Sequence, residues 1–312
     1  MSGAPFAAER AALKERALVR PAPELGVFSV TGKDRLPWLN GLVTCDLAKL
    51  PAGGGAYGLA VGKTGKLLAE LFFLGAPDEV FVGLPLDRME KIRDHFDRHL
   101  VMEDAEMGEP LARSFLLVQG PRTLDLITEA RALGADAARI DWTSSPDSAV
   151  VLAPGGEGRR DELVSALLAR SGGMLASDEA YEALRIEQGR PRFGADFDDE
   201  TLPQEACLQT LAVSFNKGCY LGQETVFMLE KRGHAKKKLM RLAIEGDAPL
   251  APRATLSLAD GTALGEVTSN TRDPSGQGLV GLGYVKFKHA TAGAELVSES
   301  RAVRVLGDAL SR

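Results

Sequence analysis

Cysteine is scarce in this chain: Cys45, Cys207 and Cys219 are the only three in 312 residues. Three thiols cannot all pair, and none stands in a CxxC arrangement, so neither a disulfide framework nor a sulfur-bound metal is expected. Histidine is nearly as rare, at four residues. His95 and His99 lie one helical turn apart and could share a metal, but no third ligand is near them in sequence, and a solvated helix face is the plainer reading. No GxSxG elbow or nucleophile–histidine pairing is recognisable. Long apolar runs are missing too; Leu67-Leu68-Ala69 and Val150-Val151-Leu152 fall far short of the roughly 20 residues that cross a bilayer. Residues 1–20 have no continuous apolar core behind a basic start, so no secretory signal is read there. Positive charge is not in excess: the formal net charge is -6, which gives no overall field to attract nucleic acid. These absences lead us to expect a cytoplasmic protein with reduced thiols, without metal, membrane or direct nucleic-acid partner. A monomer is the default, since no patterned interface is apparent.

What is present suits a globular chain. Hydrophobic residues at 45% and charged residues at 26% argue against disorder, and 312 residues are too many for one core. Leu25–Val30 alternates as a strand. Leu36, Trp38, Leu39, Leu42 and Val43 recur with helical spacing, and Pro37 falls in the first turns, where a missing N–H costs little. Residues 57–61 and 66–74 predict two strands joined by the turn Gly62-Lys63-Thr64-Gly65. Met89, Ile92, Phe96 and Leu100 mark one stripe of a helix over 87–100. Strands are expected at 115–118 and 150–152, and helices from Pro121 and over 161–170. Ser177 caps a helix that ends by Gly189. Beyond residue 240 the texture changes to short strands at 239–244, 255–258, 263–268, 278–285, 295–297 and 302–305, the pattern of a small antiparallel barrel or sandwich.

Two phosphate-loop likenesses fail on context. Gly53-Gly54-Gly55-Ala56-Tyr57-Gly58 fits GxGxxG but leads into a strand rather than a helix, and Gly62-Lys63-Thr64 has a strand after it where a helix is needed.

The informative region is residues 181–241. Tyr181-Glu182-Ala183-Leu184-Arg185-Ile186-Glu187 is followed by Leu202-Pro203-Gln204-Glu205, then by Lys217-Gly218-Cys219-Tyr220-Leu221-Gly222-Gln223-Glu224, and closes with Lys231-Arg232-Gly233 and Lys236-Lys237-Lys238-Leu239. This resembles the YgfZ family, of which the octapeptide is a specific mark. Looser likeness to its parent group, the aminomethyltransferase-like superfamily that includes the glycine cleavage T-protein, covers nearly the whole chain. The resemblance implies an α+β folate-binding fold, with antiparallel sheets and flanking helices over residues 1–240 and a small antiparallel β-barrel over 241–312. It also implies tetrahydrofolate, or a one-carbon derivative, as cofactor.

Glu187 matches the glutamate that, in T-proteins, holds the pterin. A carboxylate can accept the 2-amino group and the ring N–H bidentately; the alternative is that Glu187 pairs with Arg185 or caps a neighbouring element. Arg185 is expected to support the site. In the family Cys219 and Lys217 are functional, and a nearby ammonium favours thiolate; otherwise Cys219 is a buried thiol at a strand end. Tyr220 either stacks on a ring or fills the core. Gly222 and Gln223 open a helix whose free N–H groups could receive a folate carboxylate, though Glu224 could cap that helix itself. The basic run Lys231, Arg232, Lys236, Lys237, Lys238 and Arg241 is either a solvated face or an attraction for the folate glutamate tail or an acidic partner. Cys45 and Cys207 are read as structural.

Where T-proteins carry a catalytic aspartate, this chain aligns Glu70, one methylene longer. A displacement of about 1 Å can cost roughly a hundredfold in rate, so aminomethyl transfer is not assumed. The resemblance favours a tetrahydrofolate-binding accessory protein that serves iron–sulfur enzymes, including tRNA-modifying ones. The alternatives are an aminomethyltransferase and a scaffold that has lost folate. Glu187 and the Lys217–Cys219 loop are expected to face a channel, with Glu70 on its wall.

Overall fold

Two apolar runs flank Gly62-Lys63-Thr64-Gly65, and they fold back on each other as the antiparallel strands Gly55–Val61 and Leu67–Gly75. The computed structural model describes residues 6–143, 147–276 and 278–311. The first five residues of the N-terminal stretch read above, and the side chain of Arg232, lie outside the described residues. Leu59 sits opposite Glu70 and Ala60 opposite Ala69 in this hairpin. Lys63 and Thr64 are therefore turn residues, and the glycine run before Tyr57 enters a strand.

The hairpin belongs to a five-stranded sheet in the order Gly55–Val61, Leu67–Gly75, Glu79–Pro85, Leu25–Thr31, Glu106–Met107, antiparallel throughout. Helices Arg35–Asn40 and Met89–Asp97 cover one face, burying Trp38, Leu39, Ile92 and Phe96 among Phe28, Leu71, Phe73 and Val82. Pro37 is the third residue of its helix, where no intrahelical N–H bond is required. A second five-stranded sheet has the order Met174–Leu175, Leu18–Pro21, Arg113–Gln119, Ser148–Pro154, Asp136–Arg139, parallel only in its first pair. Helices Thr123–Ala132 and Glu157–Ser171 bury Leu126, Ile127, Leu163 and Leu167 against it. The two sheets meet where Gly83 lets the Phe115 ring approach; a Cβ there would stand 1.9 Å from that ring. Both sheets, with Leu211–Gln223, form one compact unit.

The other unit comprises residues 6–10, Ser177–Thr210 and 224–311. Its centre is a closed six-stranded barrel of Lys237–Ile244, Thr255–Ser257, Ala263–Arg272, Leu279–Lys286, Glu295–Ser298 and Arg301–Asp308. Alternation along these strands turns Leu242, Ile244, Leu256, Val267, Val285 and Val303 into the core. Helix Asp178–Glu187 packs on two of the barrel strands, and its first turn is capped by Ser177 Oγ, which accepts from the Ala180 N–H at 3.2 Å. The fold is thus α+β, with antiparallel sheets, flanking helices and a C-terminal barrel. No helix among the described residues is long and apolar enough to cross a membrane.

Candidate functional site

In the two-sheet unit the segment Leu211–Gln223 is tied to the turn that follows helix Arg35–Asn40. Thr44 Oγ1 donates to the Ala212 carbonyl at 2.6 Å and accepts from the Leu59 N–H at 2.9 Å. The Ser214 N–H donates to Thr44 O and the Leu221 N–H to Gly41 O. Lys217 completes the attachment: its ammonium donates to the carbonyls of Asn40 (2.7 Å), Val43 (2.9 Å) and Cys45 (2.5 Å). An ammonium has three N–H donors, so all are engaged. Burial pushes the Lys217 pKa down to about 8, against the opposing pull of Cys45 and Asp46.

This placement changes the expectation for Cys219. The lysine two residues before it turns inward, and the thiol on which its charge acts is Cys45. Burial drives the Cys45 thiol up to about 12, with Lys217 pulling the other way. Cys219 is exposed, whereas Cys45 and Cys207 are buried, so Cys219 is not the buried thiol its alternative reading required. Tyr220 is buried and lies 5.3 Å from the Lys217 Nζ, ring centroid to nitrogen; burial raises its phenol to about 12. Gly222 has φ +79°, and a Cβ there would stand 2.3 Å from the Gly62 carbonyl oxygen, so glycine alone lets the loop touch the hairpin turn. Gln223 opens helix Gln223–Arg232 as expected, and its Oε1 accepts from the Tyr220 N–H at 3.3 Å.

Glu70 is buried on strand Leu67–Gly75 and accepts from the Tyr57 hydroxyl at 2.8 Å. Tyr57, with Cys45, Asp46, Arg139, Asp141 and residues 211–214, lines a cavity of about 350 Å³ in the same unit. Sequence reasoning left Tyr57, Arg139 and Asp141 without a role, and no local pattern marks them.

Glu187 and Arg185 belong to the barrel's unit and have different surroundings. Glu187 ends helix Asp178–Glu187 and pairs with Arg10, neither with Arg185 nor with a helix end. Arg10 Nε donates to Oε1 at 3.0 Å and Oε2 at 3.3 Å, and Nη2 also donates to Oε1. That hydrogen bond is the main cause of a raised Arg10 pKa. Both side chains remain partly exposed, at 30% and 24%. Arg185 is buried and its guanidinium is used on every side. Nη1 donates to Asp196 at 2.7 Å and to the Arg190 carbonyl, Nε donates to Glu182 at 2.8 Å, and Nη2 donates to Ser269 at 3.0 Å and again to Glu182. Burial works against its charge, yet Asp196 and Glu182 outweigh burial and raise its pKa. Such a residue fixes the helix that carries Glu187 and has no donor left for a ligand. No group of three His, Cys, Asp or Glu side chains placed for a metal occurs among the described residues. His99 Nδ1 lies 2.8 Å from the His95 carbonyl oxygen.

No family model matches the chain. It is 30% identical over 249 residues to the tRNA-modifying protein YgfZ of Vibrio vulnificus strain YJ016, covering 75% of this chain and 72% of that one. It is 26% identical over 298 residues to an aminomethyltransferase of Picosynechococcus, covering 89% and 80%. Among solved structures, the glycine cleavage system aminomethyltransferase T of Bartonella henselae matches with a TM-score of 0.82 over 97% of this chain and 88% of that one, at 20% identity, and so shares the fold.

Proposed function

The chain belongs to the YgfZ family, within the aminomethyltransferase-like superfamily, and from that membership we propose that it is a cytoplasmic tetrahydrofolate-binding accessory protein. In this reading it supports cluster assembly or maintenance in iron–sulfur enzymes, including those that modify tRNA. The observation that carries the folate part is the Glu187 carboxylate. Both its oxygens accept from the planar guanidinium of Arg10. The 2-amino group and adjacent ring N–H of a pterin form the same kind of fragment, two donors side by side in one plane, so the carboxylate fits this ligand. Arg10 then holds Glu187 in the absence of folate and yields it to the pterin edge. Arg185 keeps the helix end in place. The exposed Cys219 thiol and the Lys217 anchor two residues before it are the residues we assign to the family's accessory role.

Aminomethyl transfer is left unassigned. The Glu70 carboxylate is buried against Tyr57 on its strand, and it is longer than the aspartate of the T-proteins. Calorimetric titration with tetrahydrofolate tests the proposal. Glu187→Gln should weaken binding by about 1–3 kcal/mol, the size expected for a lost charged hydrogen bond. Arg10→Ala should tighten binding, because the carboxylate no longer has to be released. Unchanged affinity in Glu187→Gln removes this residue from the site. Full rescue of a strain lacking its own family member by both Cys219→Ala and Lys217→Ala would remove the octapeptide from the function.

A further inference from the structure

Two stretches of this chain are rich in lysine and contain no Asp or Glu: residues 231–241 and residues 284–289. The barrel brings them together. Strands Lys237–Ile244 and Leu279–Lys286 pair antiparallel with Lys237 directly opposite Lys286, and the Phe287 N–H donates to the Lys236 carbonyl at 3.0 Å. At this barrel end the His234 ring lies flat on the Phe287 ring, with centroids 4.0 Å apart and planes 5° from parallel. Both rings are exposed, Phe287 at 39%. Lys236, Lys286 and Lys288 are exposed beside them, and Lys237 is half-buried with its Nζ 4.2 Å from the Tyr284 ring centroid. Lys238 is neutralised by Asp308, but none of the other four lysines has an ion pair among the described residues.

Lys286 Nζ donates to the Ala263 carbonyl at 2.9 Å and Lys237 sits over the Tyr284 ring, yet neither meets a carboxylate, so a bound anion would relieve the repulsion between them. Like charges directly across a strand pair repel, and an exposed aromatic pair gains little from water. The chain's net charge of -6 makes the local excess stand out further and hides it from a reading of composition. Lysines alone would suit any polyanion. A flat, exposed ring pair among them adds a surface on which a planar base can stack, which carboxylates do not need. We propose that this end of the barrel binds a single-stranded nucleic-acid segment, with phosphates on Lys236, Lys237, Lys286 and Lys288 and a base stacked on the His234–Phe287 pair. The inference rests on these residues and is independent of the folate reading.

Fluorescence anisotropy of the full chain with a labelled mixed-sequence RNA of about 12 nucleotides, and with DNA of the same sequence, tests it. Binding should be saturable, and log K should fall with log salt at a slope of about −3, near 0.7 for each of four neutralised phosphates. The paired change Lys236→Ala and Lys286→Ala should make that slope shallower by about 1.4. Phe287→Ala should weaken binding about tenfold at fixed salt and leave the slope alone, while Phe287→Tyr retains binding. Unaltered melting of these surface variants shows that the losses are local. The RNA and DNA arms tell which strand is preferred. Three results would each overturn the proposal: no binding at low salt, wild-type binding by Phe287→Ala, or a polyglutamate peptide of matched charge binding as well as the oligonucleotides. The last would give the patch to an acidic chain instead.

Discussion

Lys217 and Arg185 are both cations drawn in from the surface, and they are held in opposite ways. Arg185, in the barrel's unit, meets two carboxylates, Glu182 and Asp196, together with a hydroxyl and a carbonyl. Lys217, in the two-sheet unit, donates only to backbone carbonyls, and the pull of Asp46 and Cys45 does not offset its burial. The first charge is compensated and its pKa is raised; the second is not, and burial brings it down to about 8. A compensated cation of this kind is a fastening. Lys217 is a fastening too, with all three donors engaged, but its charge answers to pH in a range where that of Arg185 does not.

The contrast can be broken most forcefully at Arg185. Arg185→Met leaves Asp196, whose side chain is 0% exposed, without its counter-ion, and should cost about 3–5 kcal/mol in a denaturant titration. Lys217→Met removes donors from three carbonyls without stranding a carboxylate, and should cost less, about 1–3 kcal/mol. Equal losses in the two variants would mean that the carbonyl cradle is as demanding as a buried ion pair, and the distinction would lapse.

The same contrast separates what could be read from the chain from what could not. The barrel strands were legible as short apolar runs punctuated by Gly, Pro, Asp or Asn, even Leu279–Lys286, which is buried from Leu279 to Val285 and shows no alternation, and the hairpin at Gly62–Gly65 announced itself by its turn. Strand Glu79–Pro85 was not: from Val80 to Pro85 every residue is buried, so its side chains give no period-two signal. At the site, local spacing pointed to Ser177 as a cap and to Gln223 as a helix start, and both form. Partners distant in sequence stayed hidden. Arg10 reaches Glu187 across 177 positions, and the acceptors of Lys217 are backbone carbonyls, which every residue carries. Lys286 and Lys288 joined the basic run only through strand pairing. The resemblance named Lys217 and Cys219 as a functional pair, but only the folded chain reveals that the ammonium faces Cys45.

The smallest expected effect bears most directly on the difference in kind. Below about pH 8 the Lys217 amine is protonated in both the folded and unfolded chain, so it contributes no pH dependence. Between about 8 and its ordinary 10.5 the unfolded chain still holds the proton while the folded chain has begun to lose it, and the folded state gains as pH rises. An undiminished shift would be worth about 1.4 kcal/mol per pH unit; water reaching this half-buried side chain reduces that to the order of a few tenths of a kcal/mol. Arg185 stays protonated throughout and adds nothing. The stability of wild type relative to Lys217→Met, measured by denaturant titration from about pH 7 to 9, should therefore grow slightly with pH, since other titrating groups are common to both proteins. A flat difference would mean that the carbonyls of Asn40, Val43 and Cys45 hold the proton as firmly as carboxylates do, and the two cations would then differ only in their partners.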